Sequence, residues 1–291
     1  MKKGMVPALG TPLDEQGNLL EDSYVKQIDC MIEAGAVALL CMGSMGQQAF
    51  IRNEVCVQVA ETAVKATRGR VPIFVGAMDN SIVRAKQRVA SMEHLDIEGF
   101  VLTTPYYSIS TKAQVLTYFR EVAASTKHGL ILYDLPGVTK FKITYDMVCS
   151  LHRDTPNFIG IKSADLYMLR KIYLNPEMRG IKLYYSGLDD MDIAYLWGIG
   201  SILDGMFTCT PVNTKKMMDA LDAGDRTEAA RYLDNILALR DFFLGNDLWA
   251  SYTAAMNMLG FAGKNCPDWV TPVSKEREAE ILAEMQRIGE L

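Results

Sequence analysis

Residues 99–133 read GFVLTTPYYSISTKAQVLTYFREVAASTKHGLILY. Near-continuous apolar runs stand at both ends, 99–102 and 129–133, as expected for parallel strands covered on both faces. Between them, residues 111–125 carry a helical period, with Val115, Leu116, Phe119, Val122 and Ala123 on one stripe. The stretch is one strand–helix–strand unit. Working outward, similar runs recur at 5–9, 36–42, 71–76, 158–162, 183–186 and 201–204, about every 20–35 residues. Asp22, Ser23, Asn53, Ser81 and Thr144 stand near helix starts, where their side chains suit capping. Eight such units are the count of a closed (β/α)8 TIM barrel. An open doubly wound sheet would have fewer strands and a glycine-rich first turn, which is missing here. After residue 206 the strand signal stops, and 213–223, 225–243, 248–259 and 274–288 read as helices. The expected α/β organisation is a barrel over 1–206 and a C-terminal helical appendage over 207–291.

Composition removes several functional classes. The chain has 291 residues, 49% hydrophobic and 22% charged, enough to bury a large core without a disulfide or metal staple. Thirty basic against 35 acidic side chains leave a charge of −5, which disfavours nucleic acid or an anionic membrane surface as partner. The longest apolar run, 36–42, is far short of a membrane span. Met1-Lys2-Lys3 precedes Gly4-Met5-Val6-Pro7 with no apolar segment of the secretory kind. Six scattered cysteines without a CxxC pair read as reduced thiols of a cytoplasmic protein. Three histidines without ligand spacing disfavour a zinc site, so no metal is expected. Gly198-Ile199-Gly200 lacks the third glycine of a dinucleotide fingerprint, and no Walker loop is present.

Barrel enzymes place catalytic groups where strands end and βα loops begin. Those positions hold Gly43-Ser44-Met45-Gly46-Gln47, Thr103-Thr104-Pro105-Tyr106-Tyr107, Tyr133-Asp134-Leu135-Pro136 and Gly160-Ile161-Lys162. On strand six, Phe158, Gly160 and Lys162 alternate, so the lysine can share the barrel-facing side. A lysine there loses hydration, which favours the neutral amine that attacks a ketone to form a Schiff base. The competing reading is an amine that snorkels to the rim. Tyr133, at the end of the neighbouring strand, has a phenol able to pass protons to and from a carbinolamine, or serves as a buried aromatic plug. Ser44 offers a hydroxyl that could hold that phenol, or is a turn serine. Gly43 and Gly46 permit tight backbone whose N–H groups can cradle a carboxylate.

Taken in order, PALGTPL at 7–13, G-[ST]-x-G at 43–46, TPYY at 104–107, Y-x-x-P at 133–136 and GIK at 160–162 resemble the dihydrodipicolinate synthase / N-acetylneuraminate lyase family of Schiff-base aldolases. The resemblance runs over nearly the whole chain. It implies Lys162 as the Schiff-base lysine, Tyr133 as the proton-transfer residue and Ser44 as the hydroxyl of the relay. Tyr107 would reach into a neighbouring subunit's relay, and Leu203 would flank the bound keto acid, unless it is a plain core leucine. The resemblance further implies a homotetramer built as a dimer of dimers, with no metal or organic cofactor.

Departures narrow the substrate. Met45 and Gln47 replace the threonine and glutamate usual in the family loop, so the Met45 N–H remains for a keto-acid carboxylate while a hydroxyl donor is lost. Val138 stands where the synthases carry an arginine for the carboxylate of aspartate semialdehyde, and an aliphatic side chain cannot bind one. Ser186-Gly187-Leu188-Asp189-Asp190 resembles the lyase pattern whose acids accept sugar hydroxyls; Asp189 and Asp190 read equally as helix N-terminal acids. The threonine expected just after GIK in the lyases is absent, Ser163 and Ala164 standing there. Asp204 adds a carboxylate that would repel a phosphate. The expectation is a carbon–carbon lyase that condenses pyruvate, or a related 2-keto acid, with an aldehyde and cleaves a 2-keto-3-deoxy sugar acid. Gly187, Asp189, Asp190, Met45 and Leu203 would bind substrate. The alternatives are 4-hydroxy-tetrahydrodipicolinate synthase and a non-catalytic keto-acid-binding protein.

Overall fold

The apolar runs become strands. In the computed structural model, which describes residues 3–245 and 247–291, they are β1 (Gly4–Pro7), β2 (Leu39–Cys41), β3 (Ile73–Gly76), β4 (Gly99–Thr103), β5 (Gly129–Tyr133), β6 (Phe158–Ser163), β7 (Lys182–Tyr185) and β8 (Ser201–Asp204). Met1 and Lys2, on which the reading of the N terminus partly rests, lie outside the described residues. The strand order β1-β8-β7-β6-β5-β4-β3-β2, with helices between successive strands, is that of a (β/α)8 barrel. The chain divides into two compact units, one of Lys3 with Pro72–Leu203 and one of Gly4–Val71 with Asp204–Leu291.

In the first unit β3 to β7 pair in parallel, each with the next, and β7 pairs with β8. One rung of this sheet joins Thr103, Tyr133, Lys162, Tyr184 and Ser201. Paired positions of parallel strands send their side chains to the same face, so this rung sets the chemistry of that face. The strands approach closely below it: a Cβ on Gly160 would meet the Lys182 carbonyl oxygen at 2.5 Å. Phe74 on β3 stands edge-on to Tyr184 on β7 with centroids 5.4 Å apart. Outside, the helix Lys112–Ala123 buries Val115, Leu116, Phe119, Val122 and Ala123, the stripe read from sequence. Each of these side chains but that of Ala123 contributes about 1.5–3 kcal/mol on leaving water. Thr111 starts this helix with a capping box, its hydroxyl accepting the Gln114 N–H while the Gln114 side chain accepts the Thr111 N–H.

The expected caps fare differently. Ser81 and Thr144 occupy N-cap positions but make no side-chain cap bond, and Asp22, Ser23 and Asn53 lie inside their helices. The side chains that do cap α-helices include Thr111, Asp165, Asp225, Asp247 and Ser274. Periodicity locates a helix face to the residue, whereas the first turn is fixed by the angle at which the loop arrives.

The second unit holds β1, β2 and the helices Pro211–Ala223, Arg226–Leu244, Leu248–Met258 and Lys275–Arg287. Near the C terminus, the buried carboxylate of Glu290 accepts the N–H groups of Val212 (2.7 Å) and Asn213 (3.1 Å), satisfying the start of the first of these helices. Phe50 stands edge-on to both Trp249 and Trp269, each ring pair 6.4 Å apart. Among the described residues no helix is long and apolar enough to cross a membrane.

Candidate active site

The central rung of the first unit brings Lys162 and Tyr133 together. Both are nearly removed from water, at 4% and 5% exposure, and Lys162 Nζ sits 3.9 Å from the centroid of the Tyr133 ring. An aromatic face is a favourable neighbour for an amine in either charge state, as a cation–π partner or an N–H acceptor. Snorkelling to the rim is therefore not what this lysine does. Tyr184, the next residue on the rung, is fully buried, and loss of hydration pushes its phenol far above the ordinary range. The sequence reading missed Tyr184; the two-residue alternation of β7 beside that of β6 is the signal that points to it. Leu203 is buried on β8 two residues beyond Ser201, hence on the face of the rung.

Other expected residues of this unit lie on loops, turns and a short helix. Tyr107 is 92% exposed, on the loop after β4. Its backbone is fixed all the same, since Asn80 Oδ1 accepts the N–H groups of Tyr106 (2.7 Å) and Tyr107 (3.3 Å). Nothing in the sequence singled out Asn80. Val138 is exposed on the short helix Pro136–Thr139. Asp189 and Asp190 are exposed on the 3-10 turn Leu188–Asp190, and Asp190 precedes the helix Met191–Leu196 without a side-chain cap bond. Gly187 leaves room for the Tyr185 hydroxyl, which would collide with any Cβ there. Burial pushes the Tyr185 phenol up to about 12, and the carboxylates of Asp190, Asp189 and Asp192 add to the effect.

The second unit carries the Gly43–Gln47 segment. Met42 (φ 53°) and Gln47 (φ 58°) bracket it in the left-handed region, where a non-glycine residue costs about 1–3 kcal/mol and persists only if its surroundings impose it. Here the buried Gln47 amide donates to the Thr11 carbonyl (2.9 Å) and the Lys264 carbonyl (3.2 Å), and the Thr11 hydroxyl donates to the Gly46 carbonyl (2.7 Å). An ionised glutamate at 47 would have no donor for those two carbonyls, and a protonated one would have a single O–H for both. Ser44 and Met45 are half-buried, and the Ser44 carbonyl accepts the Gln47 N–H at 3.0 Å. Met45 packs on Gly205, where a Cβ would strike its Cγ. Asp204 accepts the Met206 N–H at 2.8 Å, so one of its oxygens is engaged locally. Among the described residues no group of three or more His, Cys, Asp or Glu side chains is arranged to hold a metal ion.

A buried strand-end lysine thus stands against a buried strand-end tyrosine. The sequence model of the dihydrodipicolinate synthetase family matches residues 1–288. The chain belongs to that family. Members of the dihydrodipicolinate synthetase family are class I aldolases and lyases, and this chain is an enzyme of that class. Among its relatives, a 4-hydroxy-tetrahydrodipicolinate synthase from Phenylobacterium zucineum is 26% identical over 290 residues, covering 99% of this chain and 98% of the relative. An N-acetylneuraminate lyase from Proteus mirabilis superposes with a TM-score of 0.91 at 20% identity, over 100% of this chain and 99% of the other. A prophage protein of the dihydrodipicolinic acid synthase family from E. coli K12, in complex with pyruvate, superposes with a TM-score of 0.89 at 21% identity, over 100% of both chains. Both structures share the fold of this chain.

Proposed function

We propose that this dihydrodipicolinate synthetase family member is a Schiff-base aldolase that reversibly condenses pyruvate, or a related 2-keto acid, with a neutral or polyhydroxylated aldehyde, and cleaves a 2-keto-3-deoxy sugar acid. The observation that carries the reading is the buried Lys162–Tyr133 pair, with Nζ 3.9 Å from the ring centroid. The neutral Lys162 amine attacks the keto carbon, Tyr133 moves protons on and off the carbinolamine oxygen, and water departs to leave an iminium. In the cleavage direction Tyr133, having given its proton to the departing water, takes the proton of the C4 hydroxyl. The C3–C4 bond breaks with its electrons drawn to the iminium, the aldehyde leaves, and the enamine is protonated at C3 and hydrolysed to free keto acid and amine. Ser44 and Tyr107 complete the proton relay, the latter across a subunit boundary of a homotetramer. The Met45 N–H holds the keto-acid carboxylate and Leu203 flanks it. Gly187, Asp189 and Asp190 face the hydroxyls of the second substrate. Localisation is cytoplasmic, and the helices from residue 207 form an appendage to the barrel.

A pyruvate complex of a family neighbour supports the choice of keto acid. Exposed Val138 and the Asp189–Asp190 pair support a substrate without a carboxylate at its aldehyde end. A second reading is 4-hydroxy-tetrahydrodipicolinate synthase, favoured by the names of relatives at 26–31% identity. Borohydride reduction with a panel of 2-keto acids, read by intact mass and peptide mapping, is expected to place one adduct on Lys162. Absence of an adduct with every keto acid would leave a binding protein without this chemistry. Efficient condensation of pyruvate with aspartate semialdehyde would transfer the assignment to the second reading.

A further inference from the structure

Asp134 follows Tyr133 and Ser163 follows Lys162. By strand alternation both side chains point to the face of the sheet opposite the Tyr133–Lys162 pair, toward the helical layer, where a parallel sheet ordinarily places apolar groups. Asp134 is only 4% exposed there. One of its oxygens accepts the Ser163 hydroxyl at 2.7 Å and pairs with Lys142 Nζ, and the other accepts the Ile143 N–H at 3.0 Å. Ser163 Oγ accepts the Asp165 N–H at 3.0 Å, and the Asp165 carboxylate reaches the same Lys142 Nζ at 2.9 Å. Asp134, Ser163, Asp165 and Lys142 therefore form a closed ring. The backbone adds a further tie, the Asp134 N–H donating to the Lys162 carbonyl at 2.9 Å. Burial pulls Lys142 toward the neutral amine, but the two carboxylates more than offset it and hold the ammonium form.

We propose that this ring is a positioning device: Asp134 and Ser163 bolt β5 to β6 one residue beyond Tyr133 and Lys162, and so fix the phenol against the amine. The proposal rests on the Schiff-base reading of Lys162. Asp134 is buried, but Lys142 and Asp165 are 40% and 30% exposed, and an ion pair so open to water adds only about 0–1 kcal/mol, too little for stability to explain the ring. A fixed approach of two reacting groups does, because displacement by about an ångström can cost a hundredfold in rate. Asp134 also ties the far end of the loop that carries Val138, through Lys142 and Ile143.

The experiment compares the wild-type chain with Ser163→Ala, Asp134→Ala and the double variant, using pyruvate and borohydride as the probe. Both the rate constant of trapping and the final moles of adduct per chain are read by intact mass, with urea melts alongside. The expected result is a rate constant lowered about tenfold or more in each single variant, with adduct per chain unchanged. The double variant is expected to fall no further than the worse single variant, since both act through one hydrogen bond. Three outcomes overturn the proposal: a folded Ser163→Ala variant within about twofold of the wild-type rate, effects that multiply in the double variant, or a loss confined to adduct per chain, which shows a folding role only. Failure of the wild type to form an adduct defeats the Schiff-base reading itself, and the positioning role with it.

Discussion

Tyr133 gives the amine of Lys162 a ring face and the proposed reaction a hydroxyl, and the two contributions separate by substitution. Tyr133→Phe keeps the ring at its 3.9 Å contact and removes only the proton carrier. Turnover is expected to fall about 10²–10⁴-fold with the melting temperature preserved, and a loss below tenfold in steady-state assays would remove the phenol from proton transfer. Met45 tests the other unit. Its Cγ occupies the space a Cβ on Gly205 would need, and Gly205 has an ordinary φ of −81°, so the obstacle is steric rather than torsional. Gly205→Ala is expected to destabilise by about 1–3 kcal/mol in urea unfolding, and Met45→Ala in the same chain to recover part of that. Additive losses would show that the two residues do not share the space.

The helix Pro211–Ala223 begins on a carboxylate from the far end of the chain, and this gives a pH signature. Burial raises Glu290 above its ordinary 4.5, although the N–H groups of Val212 and Asn213 pull the other way. A carboxyl so raised binds its proton more tightly in the folded state than in the unfolded chain. The stability it lends is full below pH 4.5 and is lost as pH rises through the folded-state value. Glu290→Gln should therefore gain stability relative to wild type as pH climbs through that window, measured by urea unfolding; parallel curves would show that Glu290 does not titrate there. Strands were the elements most open to reading from sequence: 129–133 and 201–204 coincide with β5 and β8, and the others shift by a few residues. A buried parallel strand announces itself by continuous apolar content, so its position survives without knowledge of its neighbours. Lys162 and Tyr133 were legible for a related reason, as polar groups at the ends of such runs. Asn80 and the Asp134 ring were not, because their meaning lies in what they touch across strands and loops, which no local spacing encodes; Tyr184 is marked by the alternation of β7, but only once β7 is set beside β6. The bracketing of the Gly43–Gln47 loop by two left-handed residues was equally hidden, since it depends on the Thr11 and Lys264 carbonyls.

At the scale of the whole molecule, the proposed relay makes a demand on assembly. A tyrosine as exposed as Tyr107 can serve a buried phenol only if another copy of the chain brings the two together. Light scattering at assay concentration is expected to give a multiple of the chain mass, and Tyr107→Phe to lower turnover without altering the monomer fold. A fully active monomer would strike Tyr107 from the relay. The chain also has three tryptophans, and the fold distributes them unevenly. Trp249 and Trp269 flank Phe50 in the unit that carries the Gly43–Gln47 loop, while Trp197, 4.4 Å from the Arg170 guanidinium, belongs to the other. Replacing Trp197 by phenylalanine leaves tryptophan emission, excited selectively over tyrosine, that originates in one unit alone. Keto-acid titrations can then be followed by fluorescence without a label, the light itself saying which half of the chain has responded.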